Sequence, residues 1–231
     1  MTATARRTVR LEHQLTRPNA SLNDLGAAVA LATEHDLAAL TVSPWLVKAA
    51  KRQLGRSRVQ LGTVVAYPHG GQLLSVKAFE ASKALEHGAN QIDFVMNGGA
   101  LASGDDETVL NDMLAVVDMA HSALAVAGVI MEAEPLAEEL VRKACRLAER
   151  AGADYVVTGT GVATARSAVG RAKVLRDSVG PRIQVKAVGR FRTADEIGQA
   201  VVAGATRVAA PLTGSIIRQT LDRAQAAGAA R

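Results

Sequence analysis

Hydrophobic positions fall into eight short runs rich in valine, isoleucine and threonine, at residues 9–15, 38–43, 60–67, 91–97, 127–133, 154–158, 183–188 and 206–212. Each is too short for a helix and is bounded by turn residues, the mark of a largely buried strand. Amphipathic stretches lie between them. Ser21-Leu22-Asn23-Asp24 reads as an N-cap with an acidic first turn, opening a helix that runs to about His35. Pro44 belongs in the first turn of the next helix. Glu138-Glu139 and Arg146 to Arg150 place acid at the start and base at the end of another, as the helix dipole favours. Gly88-Ala89-Asn90, Gly152-Ala153-Asp154 and Gly204-Ala205-Thr206 each close a helix and lead into an apolar run. Glycine caps a helix in the left-handed conformation without steric cost. Eight such repeats, with neither a Gly-x-Gly-x-x-Gly turn after the first strand nor a Walker loop, predict a (β/α)8 TIM barrel rather than an open nucleotide-binding sheet.

Two strands carry a charge where the pattern demands an apolar side chain. Lys186 interrupts Ile183-Gln184-Val185-Lys186-Ala187-Val188, and Asp93 interrupts Gln91-Ile92-Asp93-Phe94-Val95-Met96. Burying either ion costs several kcal/mol unless it is paired. A lysine and a carboxylate on buried strands serve proton transfer or imine chemistry, or form a structural ion pair. In a barrel, the C-terminal strand ends line the active site. Asp93, Glu132, Thr158 and Lys186 all fall in or near such places.

The 231 residues suit a single domain, 1–231, with residues 1–8 expected to be flexible. Hydrophobic content of 48% with 21% charged residues is globular, not disordered. The lone Cys145 excludes an intrachain disulfide framework and a multi-cysteine metal site. No apolar run approaches the roughly 18 residues of a membrane span, and the first residues form no signal-peptide core. A cytoplasmic location is therefore expected. A net charge of +5 permits nucleic-acid binding, but the arginines are scattered and no aromatic platform accompanies them. The basic surface is read as solvated, with no nucleic-acid partner.

Several phrases together resemble the deoxyribose-phosphate aldolase family over about residues 9–220. They are Gly62-Thr63-Val64-Val65-Ala66-Tyr67-Pro68 with Gly70, Val76-Lys77-Ala78-Phe79-Glu80-Ala81, Gln91 to Asn97 with Gly99-Ala100-Leu101, and Val185-Lys186-Ala187 through Arg192-Thr193. Gly152 to Val156, Gly204 to Arg207, and Glu12-His13 with Leu15 and Pro18 keep register with them. The resemblance implies a metal-free class I aldolase barrel without a cofactor. Such enzymes cleave 2-deoxyribose 5-phosphate through a lysine Schiff base. The proton-handling aspartate maps onto Asp93, and the lysine that depresses the pKa of the nucleophile maps onto Lys186.

The departures cluster where the chemistry belongs. The Schiff-base lysine of the family opens a phrase that here reads Val157-Thr158-Gly159-Thr160-Gly161. Valine forms no imine. The family's glycine pair is Gly189-Arg190, and its phosphate-binding serines are Pro211-Leu212. Its opening aspartate is Glu12, a nearby threonine is Gln14, and a cysteine of the second strand is Thr41.

Lys186 is thus a relocated nucleophile, a fixed cation stabilising an oxyanion, or an inherited ion-pair partner of Asp93. Glu132 is either a general base that also holds substrate hydroxyls or a rim carboxylate. Thr158, Gly159 and Thr160 form a hydroxyl-rich turn able to meet an anion, and Gly189, Arg190 and Glu12 are further substrate-side candidates. Thr213-Gly214-Ser215 opens the last helix, as an anion site or an ordinary N-cap. His13 and His69 at strand ends are candidates for acid–base groups or satisfied structural histidines, and neither has metal-ligand spacing to another histidine. His35, His87 and His121 read as surface residues, and Trp45 reads as core, with a place at the pocket mouth as the alternative. The expected partner is a small carbonyl substrate, and a homodimer is the default assembly. The reaction expected is making or breaking a C–C bond, or proton transfer next to a carbonyl. The rival reading is a catalytically inactive paralogue that binds a metabolite or an active subunit.

Overall fold

The computed structural model describes residues 9–132 and 136–229. The expectation for residues 1–8 and the predicted strand end at Ala133 lie outside them. Eight strands, β1 (Arg10–Leu15), β2 (Ala39–Val42), β3 (Gln60–Val65), β4 (Gln91–Val95), β5 (Val126–Ile130), β6 (Tyr155–Val157), β7 (Gln184–Val188) and β8 (Arg207–Ala210), pair in parallel and close into a barrel in chain order. Around it run α1 (Leu22–Glu34), α2 (Val47–Leu54), α3 (Leu74–Glu86), α4 (Gly98–Ala102), α5 (Asp106–Ser122), α6 (Glu138–Arg150), α7 (Ala165–Ser178), α8 (Ala194–Val202) and α9 (Gly214–Ala229). The predicted (β/α)8 barrel is the observed one, with strands trimmed by a residue or more at most ends.

Local chemistry explains the boundaries. Ser21 caps α1 in a reciprocal capping box with Asp24, and Thr193 does the same for α8 with Glu196. Pro44 opens a single 3-10 turn, Pro44–Leu46, ahead of α2. Gly88, Gly152 and Gly204 adopt φ of 102°, 80° and 103°, so each helix-to-strand turn uses the left-handed backbone that glycine permits.

Parallel strands are covered on both faces, so the chain builds two apolar layers. Between helices and barrel lies the main core, from Leu25, Leu40 and Val47 round to Val185 and Ile217. Inside the barrel a smaller cluster joins Val95, Ile130, Tyr155, Val157, Val188 and Ala209. Three expectations need correction. Trp45 is 60% exposed rather than packed in the core, because the turn at Pro44 directs it outward. The His35 side chain is mostly buried beneath the start of α9, not on the surface. The strand expected to run to Leu212 ends at Ala210.

Candidate active site

Side chains of a strand alternate between the two faces, so every second residue points into the barrel. In β1 these are Arg10, Glu12 and Gln14; in β4 Gln91, Asp93 and Val95; in β7 Gln184, Lys186 and Val188. One tier is almost wholly ionic. Lys186 Nζ lies 2.6 Å from Asp93 Oδ2 and 2.5 Å from Glu12 Oε2. Arg207 Nε lies 2.6 Å from Glu12 Oε1, and its guanidinium also donates to Gln91. Gln91 Nε2 donates to Glu12 Oε2 at 3.1 Å. Tyr155 donates its hydroxyl to Asp93 and lays its ring 4.3 Å from the Arg207 guanidinium carbon. All six side chains are buried.

Pairing is what makes this burial tolerable. Burial alone pushes the Glu12 carboxyl up, but Lys186 and Arg207 outweigh it and hold its pKa at about 2. Burial also lowers Arg207, and Glu12 more than reverses that. Tyr155 is raised well above the ordinary phenol value by burial and then by the Asp93 charge. The ring fits only because the residue facing it is Gly128, where a Cβ would fall 1.9 Å from the Tyr155 ring.

Two residues further along the same strands, the interior turns aliphatic. Val95 follows Asp93, Val157 follows Tyr155, Val188 follows Lys186 and Ala209 follows Arg207, with Ile130 completing the tier. Val157 is the ladder neighbour of Lys186. Above it opens a cavity of about 890 Å3, lined by Gln14, Val64, Tyr67, Thr160 and Gly161 over the barrel and by His13, Ala28 and Leu31 towards α1.

The remaining candidates occupy the rim. Glu132 has φ of 40° and accepts from the Thr160 amide at 2.8 Å, so it folds the β6–α7 loop, with Gly159 against the carboxylate. Thr158 exchanges hydrogen bonds with the backbone of Val188. Tyr67 crosses the mouth to donate to the Thr160 carbonyl at 2.6 Å. Gly189 is buried against Ala168, whereas Arg190 is exposed and pairs by backbone with Thr164. Thr213 and Ser215 are exposed, their hydroxyls 3.0 Å apart, flanking Gly214. The structure therefore brings Lys186, Asp93 and Glu12 together in the interior and Glu132, Gly159 and Thr160 together at the rim. Of the candidate site residues only Thr160 is in the cavity lining; Lys186, Asp93, Glu12, Glu132, Thr158, Gly159, Gly189, Arg190 and the Thr213–Ser215 segment lie outside it.

Sequence reasoning missed Arg207, Tyr155 and Gln91. It also missed a second buried pair outside the barrel, Lys77 Nζ to Asp112 Oδ2 at 2.5 Å, with Lys77 also donating to the Val95 carbonyl at 2.9 Å. Burial lowers Lys77 and raises Asp112, and each is the other's counterion. Among the described residues no group of three His, Cys, Asp or Glu side chains could hold a metal ion. None of their helices is long and apolar enough to cross a membrane.

The chain is thus a closed parallel (β/α)8 barrel with a buried lysine–carboxylate tier in its interior. The sequence profile of the DeoC/LacD family aldolases matches residues 6–230, and the chain belongs to that family. It is 36% identical over 207 residues to the deoxyribose-phosphate aldolase of Bacillus cereus (strain AH187), covering 90% of this chain and 92% of the relative. It is 39% identical over 200 residues to the deoxyribose-phosphate aldolase of Thermococcus gammatolerans, covering 86% and 89%. The tetrameric deoxyribose phosphate aldolase of Aeropyrum pernix superposes with a TM-score of 0.83 at 27% identity, covering 94% of this chain and 90% of that one. Family membership supports a general aldolase-type lyase function.

Proposed function

We propose that this chain is a metal-independent aldolase-type lyase for a small carbonyl or sugar-phosphate-like compound. Its reaction makes or breaks a C–C bond, or moves the proton next to the carbonyl. Val157 stands where the family resemblance puts the Schiff-base lysine, so the family's usual covalent route is closed in this reading. The observation that carries the proposal is the Lys186–Asp93–Tyr155 chain in the barrel interior, one aliphatic tier below the cavity. An imine needs a free amine, and Lys186 Nζ is engaged by two carboxylates. The geometry favours the electrostatic role, in which the ammonium stabilises an enolate oxygen and Asp93 handles the proton. Glu132 would orient a substrate hydroxyl from the rim, with Thr158, Gly159 and Thr160 shaping that side. A homodimer remains part of the proposal, checked by sedimentation.

A second reading is favoured by one observation: Lys186 is fully buried and capped by Val95, Val157, Val188 and Ala209. That arrangement also suits a catalytically inactive paralogue that binds a metabolite or a partner subunit. Borohydride trapping separates them. The protein is incubated with candidate aldehydes and ketones, reduced, and mapped by peptide mass, beside turnover assays of Lys186→Met. Turnover without an adduct, abolished in the variant, is the expected result. An adduct on Lys186 replaces the electrostatic role with imine chemistry, and no turnover by the unmodified chain leaves the inactive paralogue.

A further inference from the structure

A second cavity, of about 390 Å3, opens at the opposite, N-terminal end of the barrel. Its walls include Arg10, Gln60, Val126, Gln184 and Arg207, the first residues of β1, β3, β5, β7 and β8. All five belong to the rows that point into the barrel. A barrel interior is usually packed with branched aliphatics. Here four of the five floor residues are guanidinium or carboxamide side chains. The exposed Arg182, in the turn before β7, adds a further guanidinium at the cavity mouth.

The charges inside the barrel do not balance. Register sets Lys186 beside Arg207 and Arg207 beside Arg10, on β7, β8 and β1. Within the described strands the inward rows thus hold three cations, opposed by Glu12 and Asp93 alone. Lys186 contacts both carboxylates, and Arg207 contacts Glu12. Arg10 contacts neither, and its hydrogen bond goes to the neutral Gln60 Oε1 at 2.8 Å. Partial burial and then the Arg207 charge lower the Arg10 guanidinium, against the pull of Glu12. One positive charge is left over at the floor. It is half-buried, so a molecule in the cavity can touch it. The two carboxylates of the cavity wall are turned to other donors. Asp154 precedes the inward Tyr155 and so faces outward, where its Oδ2 accepts from the Ala127 amide at 2.8 Å and lies 3.0 Å from His121 Nε2. Glu149 accepts from the Gly180 amide at 3.4 Å. A charge drawn partly out of water is stabilised by a counterion, and the described chain supplies none to Arg10.

We propose that this N-terminal cavity binds a small oxyanion of the phosphate class, with Arg10 as its principal ligand. The guanidinium fork meets two oxygens of such a group at once. Gln60 gives its Oε1 to Arg10 and keeps its Nε2 to donate to a third oxygen. Arg182 adds charge at the mouth, and Arg207 adds it from the deep wall, with donors already committed to Glu12 and Gln91. The volume lies within the range of about 300–1,000 Å3 usual for small-molecule sites, so phosphate on a short carbon chain fits as well as the free ion. This cavity lies across the ionic tier from the C-terminal mouth, and the proposal does not rest on the lyase reading.

The test is isothermal titration of the intact chain with inorganic phosphate and glycerol 3-phosphate, beside glycerol as the uncharged control. Arg10→Gln removes the principal ligand, and Arg10→Lys keeps the charge without the fork. Arg182→Gln acts from an exposed position and so spares the fold. Arg52→Gln, on the exposed face of α2, removes the same charge away from the cavity. Inorganic phosphate should bind saturably, and glycerol should not. Arg10→Gln should weaken phosphate by about tenfold or more, the worth of a charge-assisted hydrogen bond. Arg10→Lys should lose less, Arg182→Gln should lose a few-fold, and Arg52→Gln should bind as the unmodified chain does. Glycerol 3-phosphate binding as tightly as phosphate assigns the site to phosphoesters, and phosphate binding alone assigns it to the free ion. Absence of saturable phosphate binding overturns the proposal. So does equal weakening by Arg52→Gln, or unchanged binding to both Arg10→Gln and Arg182→Gln. The readout is binding rather than turnover, so failure of the lyase reading leaves it untouched.

Discussion

Replacing Lys186 by methionine removes the central cation of the interior tier at nearly constant volume. The two carboxylates that touch it are not equally dependent on it. Glu12 keeps Arg207 at 2.6 Å and Gln91 at 3.1 Å, so both its oxygens remain satisfied. Asp93 loses its 2.6 Å partner on Oδ2 and retains only the Tyr155 hydroxyl on Oδ1. The cost falls on Asp93 and amounts to about 3–5 kcal/mol, as for other broken buried pairs. At about 2–4 °C per kcal/mol for a chain of this size, the melting temperature should drop by roughly 6–20 °C. Combining Lys186→Met with Asp93→Asn removes the orphaned charge. The double variant should then recover about 2 kcal/mol relative to the sum of the singles. Urea unfolding of the four proteins of this cycle measures the coupling directly. A single-variant loss below about 1 kcal/mol, or strict additivity, would refute the idea that the pair is held dry and mutually dependent.

The acid limb of stability should report Glu12. Its folded pKa of about 2 lies below the ordinary glutamate value of about 4.3, so its contribution is full above that value and lost as pH falls towards 2. The contribution is on the order of 3 kcal/mol, and melting curves of Glu12→Gln between about pH 5 and 2 should be flatter than those of the unmodified chain. A parallel slope in the two proteins would remove the assignment. Gly128→Ala places a methyl group 1.9 Å from the Tyr155 ring and should cost about 1–3 kcal/mol by overpacking. Unchanged unfolding of Gly128→Ala would show that the ring has another place to go.

Most of the barrel was legible because its signals are local. The eight apolar runs, the Gly88, Gly152 and Gly204 caps and the Ser21 capping box each declare themselves within a few residues. Lys186 and Asp93 were legible because a charge in an apolar strand is costly enough to stand out. Arg207 stands at the head of Val208-Ala209-Ala210 with Thr206 before it, so it breaks no apolar run and that argument does not reach it. Glu12 was read as substrate-facing, although its place between Arg10 and Gln14 puts it in the interior row with Lys186. Tyr155 left no local signal. An aromatic residue in a strand is ordinary, and only the register that sets it opposite Gly128 and within reach of Asp93 gives it a role. Trp45 misled because apolarity predicts burial on average, while the geometry of one short turn decided otherwise. Lys77 and Asp112 are helical positions far apart in sequence, so nothing short of the packed structure could join them.

The Tyr67 hydroxyl bound to the Thr160 carbonyl acts as a cross-tie over the barrel mouth. It fastens the loop after β3 to the loop after β6. The open approach then lies beside β1, β8 and α1. Natural variation that retunes which molecules are admitted should concentrate along that doorway, whereas changes under the tie would be felt as a loosening of the whole entrance.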